Sequence, residues 1–405
     1  MRCDRVVLCL ALLLLLSAPH TDAKSCPVTY ELTQPRGGPG MLMGGVLNTA
    51  ACRSADSGAA CERSGYWAEE CRMQTSSNEF GVCDDAQRAV GLGVARKIKG
   101  GAPLRLSPCD LFPYLRGRTL WLMGDSHTKG LFKALQCFLF DLWDGKQECS
   151  PGADDDLVRR LDDLPLMRGE SKCIHLAGGG RVCRVQTVLG ASVVGGDPRV
   201  PEGGVLKLLR EKFASPDDIF LLQFGIWDFK AGVDAGAAAL RDALKKLGED
   251  YQRTKKTFPH VIYRETPASH DKDAAHDTCR PASKGWILDY DTGALSVDPT
   301  KRSQSGASAA RGGLINGLAR DVLKRYRLPV MGGYSYSLPL HGGHVMRRGT
   351  AALDCLHYCS FGLGEILVYE LYRQLRVGLA GVKPLPEAAA ARAPERVCRP
   401  LLGAY

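Results

Sequence analysis

The chain has 405 residues, 45% of them hydrophobic and 24% charged, and a formal net charge of +9. That balance excludes a mainly disordered chain, and the length allows two or three ordinary domains or one large α/β domain with insertions. A basic surface draws anionic partners such as an acidic polysaccharide, although a solvated basic face gives the same count.

The N-terminus reads as a leader. Met1 to Arg5 carries two arginines, Val6 to Ala18 is apolar, and Thr21-Asp22-Ala23 supplies small residues at a cleavage position. Residues 1–23 are therefore expected to be a signal peptide, or a short signal anchor if cleavage does not occur. The apolar run is shorter than the roughly 20 residues of a comfortable membrane span. A membrane enters this reading only through that anchor, and nucleic acid is not an expected partner behind such a leader. Of the 16 cysteines, Cys3 and Cys9 lie in the leader, which leaves 14. An even number in an oxidising compartment predicts disulfides. No CxxC pair occurs, and Cys355 and Cys359 are isolated, so a zinc site is not expected.

Residues 24–102 are rich in Cys, Gly and Ser and lack periodicity. They are expected to be an irregular, disulfide-stapled region packed on a catalytic domain over 103–380, with a Pro/Ala-rich tail over 381–405. Within 103–380 the elements alternate. Arg118 to Met123 reads as a buried strand, and Lys129 to Trp143 as an amphipathic helix with Leu131, Leu135, Phe138 and Leu142 on one side. The acidic stretch around Asp154-Asp155-Asp156 reads as a loop, and Gly178-Gly179-Gly180 as a turn, since it lacks the Lys-Ser/Thr ending of a phosphate loop. Strands follow over 180–189, 218–224, 260–264 and 328–334. Helices are expected over 203–213, 234–257, 309–325 and 362–377. This alternation predicts an α/β fold, a parallel sheet with helices on both faces. Reactive groups in such sheets gather at the carboxyl ends of the strands.

Ser126 falls at one such end, in Leu120 to Gly130 (LWLMGDSHTKG). A hydroxyl between a strand and a helix is exposed, and developing negative charge is favoured at the helix N-terminus. Ser126 as the N-cap of the following helix is the plainer alternative. A nucleophilic serine needs a base. Asp354 and His357 in Asp354 to Cys359 (DCLHYC) are three apart, close enough in a turn for the carboxylate to orient the imidazole. The order Ser, Asp, His is one that several hydrolase folds use. Cys355 and Cys359 would staple this loop to the body. His127 reads as a helix-start residue. His341 and His344 are candidates for the mouth of the site or for metal binding, and Trp67 for stacking on a sugar or for packing.

These stretches carry a resemblance. The chain resembles the PC-esterase branch of the GDSL/SGNH superfamily, and more narrowly the trichome birefringence-like polysaccharide O-acetyltransferases. Cys61 to Trp67 (CERSGYW) and Val261 to His270 (VIYRETPASH) match loosely. Cys109 to Ser126 (CDLFPYLRGRTLWLMGDS) and Asp354 to Gly362 (DCLHYCSFG) match specifically. The resemblance implies a three-layer, flavodoxin-like sheet. It implies Ser126 as the acyl-accepting nucleophile, His357 as the base and Asp354 as its orienting acid. Gln223 falls where the family has an asparagine that stabilises the oxyanion, with the Ser126 N–H as a second donor and Gly190 as a candidate third. Arg264 would bind substrate or lie beneath the site, with an ion pair to Glu265 as its plainer role. Lys129 replaces a family arginine, and Trp227 and Asp228 are candidates for sugar contacts or for packing and capping. The activity implied is transfer of an acyl group from a small donor to a glycan, without metal or cofactor, in the secretory pathway. Hydrolysis by the same residues and a non-catalytic glycan-binding protein are the rival readings.

Overall fold

The computed structural model describes residues 80–98, 104–106, 108–139, 142, 172–270, 272–273, 275–281, 306–360 and 362–385, together with short strands at 30–31, 77–78, 286–288 and 295–297. Residues 1–23, expected to be a leader, Cys61 to Trp67, the acidic stretch at 154–156 and the residues beyond 385 lie outside the described residues. In chain order come β1 (Ser77–Asn78), β2 (Gly81–Val82), α1 (Asp85–Ile98), α2 (Pro108–Leu115), β3 (Thr119–Gly124), α3 (Ser126–Phe138), β4 (Lys172–Leu176) and β5 (Gly180–Gln186). They continue with α4 (Gly190–Val194), α5 (Gly204–Lys212), β6 (Ile219–Leu222), α6 (Val233–Thr254) and β7 (Val261–Arg264). Last are α7 (Gly306–Arg325), β8 (Val330–Met331), β9 (His344–Met346), β10 (Leu353–Tyr358) and α8 (Leu363–Arg376).

Six strands form one mixed sheet in the order β8-β7-β6-β3-β5-β4. All neighbours run parallel except β4, which is antiparallel to β5. The wholly parallel sheet expected from the alternation is thus corrected at one edge. Lys172 to Leu176 (KCIHL) carries no strong apolar run, yet it folds back on β5 through Gly178 and Gly179, both at φ 73°. A disulfide between Cys173 and Cys183 joins the two strands.

β3 is central and buried at every residue. Its side chains alternate, as a period of two requires. Leu120 and Leu122 enter a core with Leu131, Phe132 and Leu135 of α3 and Ile366, Leu367 and Leu371 of α8. Trp121 and Met123 enter a second core with Leu206 and Leu209 of α5 and Leu240, Leu244 and Leu247 of α6. Asp218, just before β6, ties the strand starts together. It accepts from the Thr119 backbone N–H at 2.7 Å and from Trp121 Nε1 at 2.9 Å.

A second sheet, β10-β9-β2-β1, is antiparallel. Val82 pairs with Met346, and His344 with Tyr358. Two disulfides fasten it. Cys83 bonds Cys359 across 276 residues, and Cys279 bonds Cys355. The stapling expected of Cys355 and Cys359 therefore has named partners. These three disulfides among the described residues are consistent with an oxidising compartment. Among the described residues no helix is long and apolar enough to cross a membrane.

Candidate active site

The sequence from Gly124 to Thr128 divides its side chains between the interior and the site. A Cβ on Gly124 would lie 2.1 Å from Thr128 Oγ1 and 2.7 Å from the Gln223 carbonyl oxygen, so only glycine lets the strand end turn this tightly. Asp125, not Ser126, caps α3, its carboxylate accepting from the His127 N–H at 2.9 Å. Capping by Asp125 leaves Ser126 as the first helical residue, with its side chain available. Its N–H is one of the first-turn donors that a helix cannot satisfy internally. The helix therefore starts three residues earlier than Lys129, where the apolar period alone begins it.

Ser126 Oγ lies 3.0 Å from His357 Nε2, and His357 Nδ1 lies 3.0 Å from Asp354 Oδ1. The local backbone of β10 makes the second contact. Cys355 adopts φ 61°, unusual for a residue with a Cβ, and the register with β9 shifts there. The resulting bend lets Asp354 Oδ1 also accept from the backbone N–H groups of Leu356, at 3.0 Å, and His357, at 2.8 Å. Burial works to raise the Asp354 carboxyl, but the His357 ring and these N–H groups together hold it down at about 2. It is a carboxylate at any physiological pH. Asp354 and His357 thus sit on a bent strand rather than in the turn their spacing suggests.

One contact to His357 has no sequence signal. Phe80, between β1 and β2, stacks on the imidazole with ring centroids 3.8 Å apart and planes 2° from parallel. A cleft of about 40 Å³ opens beside these groups, lined by Phe80, Ser126, His357, Leu131, Leu363 and Leu367 among others. His127 is buried, its ring 6.0 Å from that of His357. Burial first, and the nearby His357 and Arg264 second, push its pKa well down, so it is neutral.

Beneath α3 lies a buried polar network. Gln223 Nε2 donates to Asp125 Oδ2 at 3.1 Å and to Thr266 Oγ1 at 3.2 Å. Its Oε1 accepts from Thr128 Oγ1 at 3.0 Å and from Arg264 at 3.3 Å. An amide nitrogen has two protons, and both are in use. Gln223 therefore anchors Asp125 and α3 instead of offering a donor to an oxyanion as expected. Arg264 is 1% exposed and donates to Thr128 Oγ1 at 3.1 Å. Burial lowers its pKa to about 10, still well above neutrality. Of its expected roles the structure has the strut beneath the site, not the substrate contact. Glu265 pairs with Arg320 instead and accepts from the Gly333 and Tyr334 N–H groups. Burial raises the Asp125 carboxyl, opposed by Gln223, the His127 N–H and Arg264.

The remaining candidates are dispersed: Gly190 opens α4 after β5, Trp227 and Asp228 follow β6, Lys129 lies on α3 and His344 on β9. The Gly190 N–H, after β5, points to the Asp228 carboxylate, after β6, at 3.3 and 3.4 Å. The Gly190 donor is thus engaged by a carboxylate rather than left open for an oxyanion. Burial raises the Asp228 carboxyl to about 6. Trp227 is half-buried, with Lys230 Nζ 3.6 Å from its ring centroid. Lys129 is half-buried, its Nζ 6.0 Å from the Phe80 ring. His344 is buried and contacts His270, with Nε2 2.7 Å from His270 Nδ1, while His341 Nδ1 contacts the Cys279 carbonyl at 3.1 Å. His344 thus packs inside the fold rather than at the mouth.

No protein-family model matches the chain, and no curated protein matches it. Among solved structures it is similar to the crystal structure of the lipase/acylhydrolase from Enterococcus faecalis. That match has 15% identity, covers 66% of this chain and 99% of the other, and has a TM-score of 0.28. A likeness that slight carries no argument about function.

Proposed function

We propose that the chain is a serine-dependent acyltransferase of the SGNH type, a glycan O-acetyltransferase of the PC-esterase branch with a three-layer catalytic domain. One observation carries the reading: a hydroxyl at a strand end, an imidazole and a carboxylate aligned at 3.0 Å and 3.0 Å. The motifs around Ser126 and His357 support the branch.

In the first half-reaction Ser126 Oγ attacks the acetyl carbonyl of a small donor as His357 Nε2 takes its proton. Asp354 holds the Nδ1–H and balances the imidazolium. The Ser126 N–H faces the developing oxyanion at the start of α3. The intermediate collapses, the donor C–O bond breaks, and the leaving oxygen takes the proton from His357. In the second half a sugar hydroxyl gives its proton to His357 and attacks the acetyl carbonyl, and Ser126 leaves as the hydroxyl. Water in place of the sugar makes the same site an esterase.

The experiment loads Ser126 with acetyl from an activated ester and compares discharge by neutral and acidic oligosaccharides with discharge by water. Faster discharge with acetyl recovered on the sugar is expected. Acetate as the sole product, at a rate no oligosaccharide changes, refutes transfer and leaves hydrolysis. Failure to load refutes the nucleophile.

A further inference from the structure

His357 is held by two contacts at its edge, to Ser126 and to Asp354. Hydrogen bonds at ring nitrogens act along the ring plane. Neither resists a tilt out of that plane, and such a tilt carries Nε2 away from the serine. Phe80 supplies a wall against that motion, 3.8 Å away and 2° from parallel. The wall is itself fixed. Cys83, three residues after Phe80, is bonded to Cys359, two residues after His357. Val82 pairs with Met346 of β9. A Cβ on Gly81 would lie 2.0 Å from the Met346 carbonyl oxygen, so the strand approaches β9 as closely as only glycine permits. Both rings hang from one covalently closed unit.

We infer that Phe80 is a positioning residue for acyl transfer, holding the His357 imidazole in the plane that joins Ser126 to Asp354. This inference rests on the function proposed above. The ring acts a second time as Nε2 receives the serine proton, because an aromatic face attracts a cation. An aliphatic side chain of similar size gives the wall without that attraction.

The test uses the full, oxidised chain with Phe80→Ala, Phe80→Leu and Phe80→Tyr, a chromogenic acetyl ester, and NMR of the His357 ring assigned with His357→Gln. Displacement of a reacting group by about 1 Å costs up to a hundredfold. Phe80→Ala is expected to lower kcat by about tenfold or more with KM within about twofold. Phe80→Tyr is expected to stay within about threefold of the parent, with Phe80→Leu between the two. The His357 Cε1 proton is expected to lose an upfield ring-current shift in Phe80→Ala. A kcat within twofold of the parent, a loss confined to KM, or an unmoved resonance overturns the inference. If Phe80→Ala does not fold, equal kcat for Phe80→Leu and Phe80→Tyr overturns it. Turnover that survives Ser126→Ala overturns the proposed function instead, while the resonance still decides whether Phe80 holds the ring.

Discussion

Asp354→Asn separates charge from orientation at this site. The Asp354 Oδ1 that meets His357 Nδ1 also accepts two backbone N–H groups. Those bonds pin an oxygen at the same place in asparagine. The amide cannot easily turn its NH2 toward the ring, so the Nδ1–H tautomer survives and only the charge is lost. Two unit charges 3.0 Å apart interact by about 5.5 kcal/mol at an effective dielectric of 20. The retained neutral hydrogen bond returns about 1 to 1.5 kcal/mol. The net loss of about 4 kcal/mol corresponds to a fall in kcat of roughly three powers of ten. The melting temperature should stay within about 2 °C, because the backbone bonds remain. The assay is ester turnover across pH beside a thermal melt. A fall beyond ten-thousandfold would mean that the tautomer was lost after all. A fall below tenfold, or a change in KM alone, removes Asp354 from the chemistry.

Other perturbations test the scaffold. Gln223→Leu strips four partners in the network beneath α3. Chemical denaturation should show a loss of about 2–4 kcal/mol, and a loss under 1 kcal/mol contradicts the network. Asp228 binds its proton more tightly folded, at about 6, than unfolded. Stability should therefore be fully kept below the ordinary carboxylate value and fall as pH rises toward 6, by up to roughly 3 kcal/mol. Asp228→Asn should flatten that slope, and an unchanged slope assigns it to another group. Replacing Cys83 and Cys359 together by alanine should cost about 2–4 kcal/mol in the same denaturation assay. An unchanged midpoint contradicts the role of that bond.

The parts of this structure that were legible in the sequence are those with a local cause. The run from Leu120 to Met123 is continuous and apolar, so it announces a buried strand, and Gly-Asp-Ser marks its end. The three-residue step from Asp354 to His357 points to a pair, although the φ of Cys355 that bends β10 leaves no trace in the pattern. What could not be read depends on burial and on distant partners. Gln223 occupies a position where a polar side chain suggests contact with a ligand, and only the packing of α3 over it turns it inward; for Arg264 the same packing selects the place beneath the site over the substrate contact. Lys172 to Leu176 is a strand because β5 offers an edge, not because of its own composition. Phe80 reaches the site through a bond between cysteines 276 residues apart, a pairing that spacing does not fix.

The measurement closest to the central claim is intact-protein mass spectrometry after brief exposure to an activated acetyl ester, for the parent chain beside Ser126→Ala and His357→Gln. A single acetyl on the parent, mapped to Ser126 by peptide analysis and absent from both variants, is the predicted result. Acetylation at other residues only, or equal labelling of Ser126 in His357→Gln, contradicts a serine activated by that imidazole.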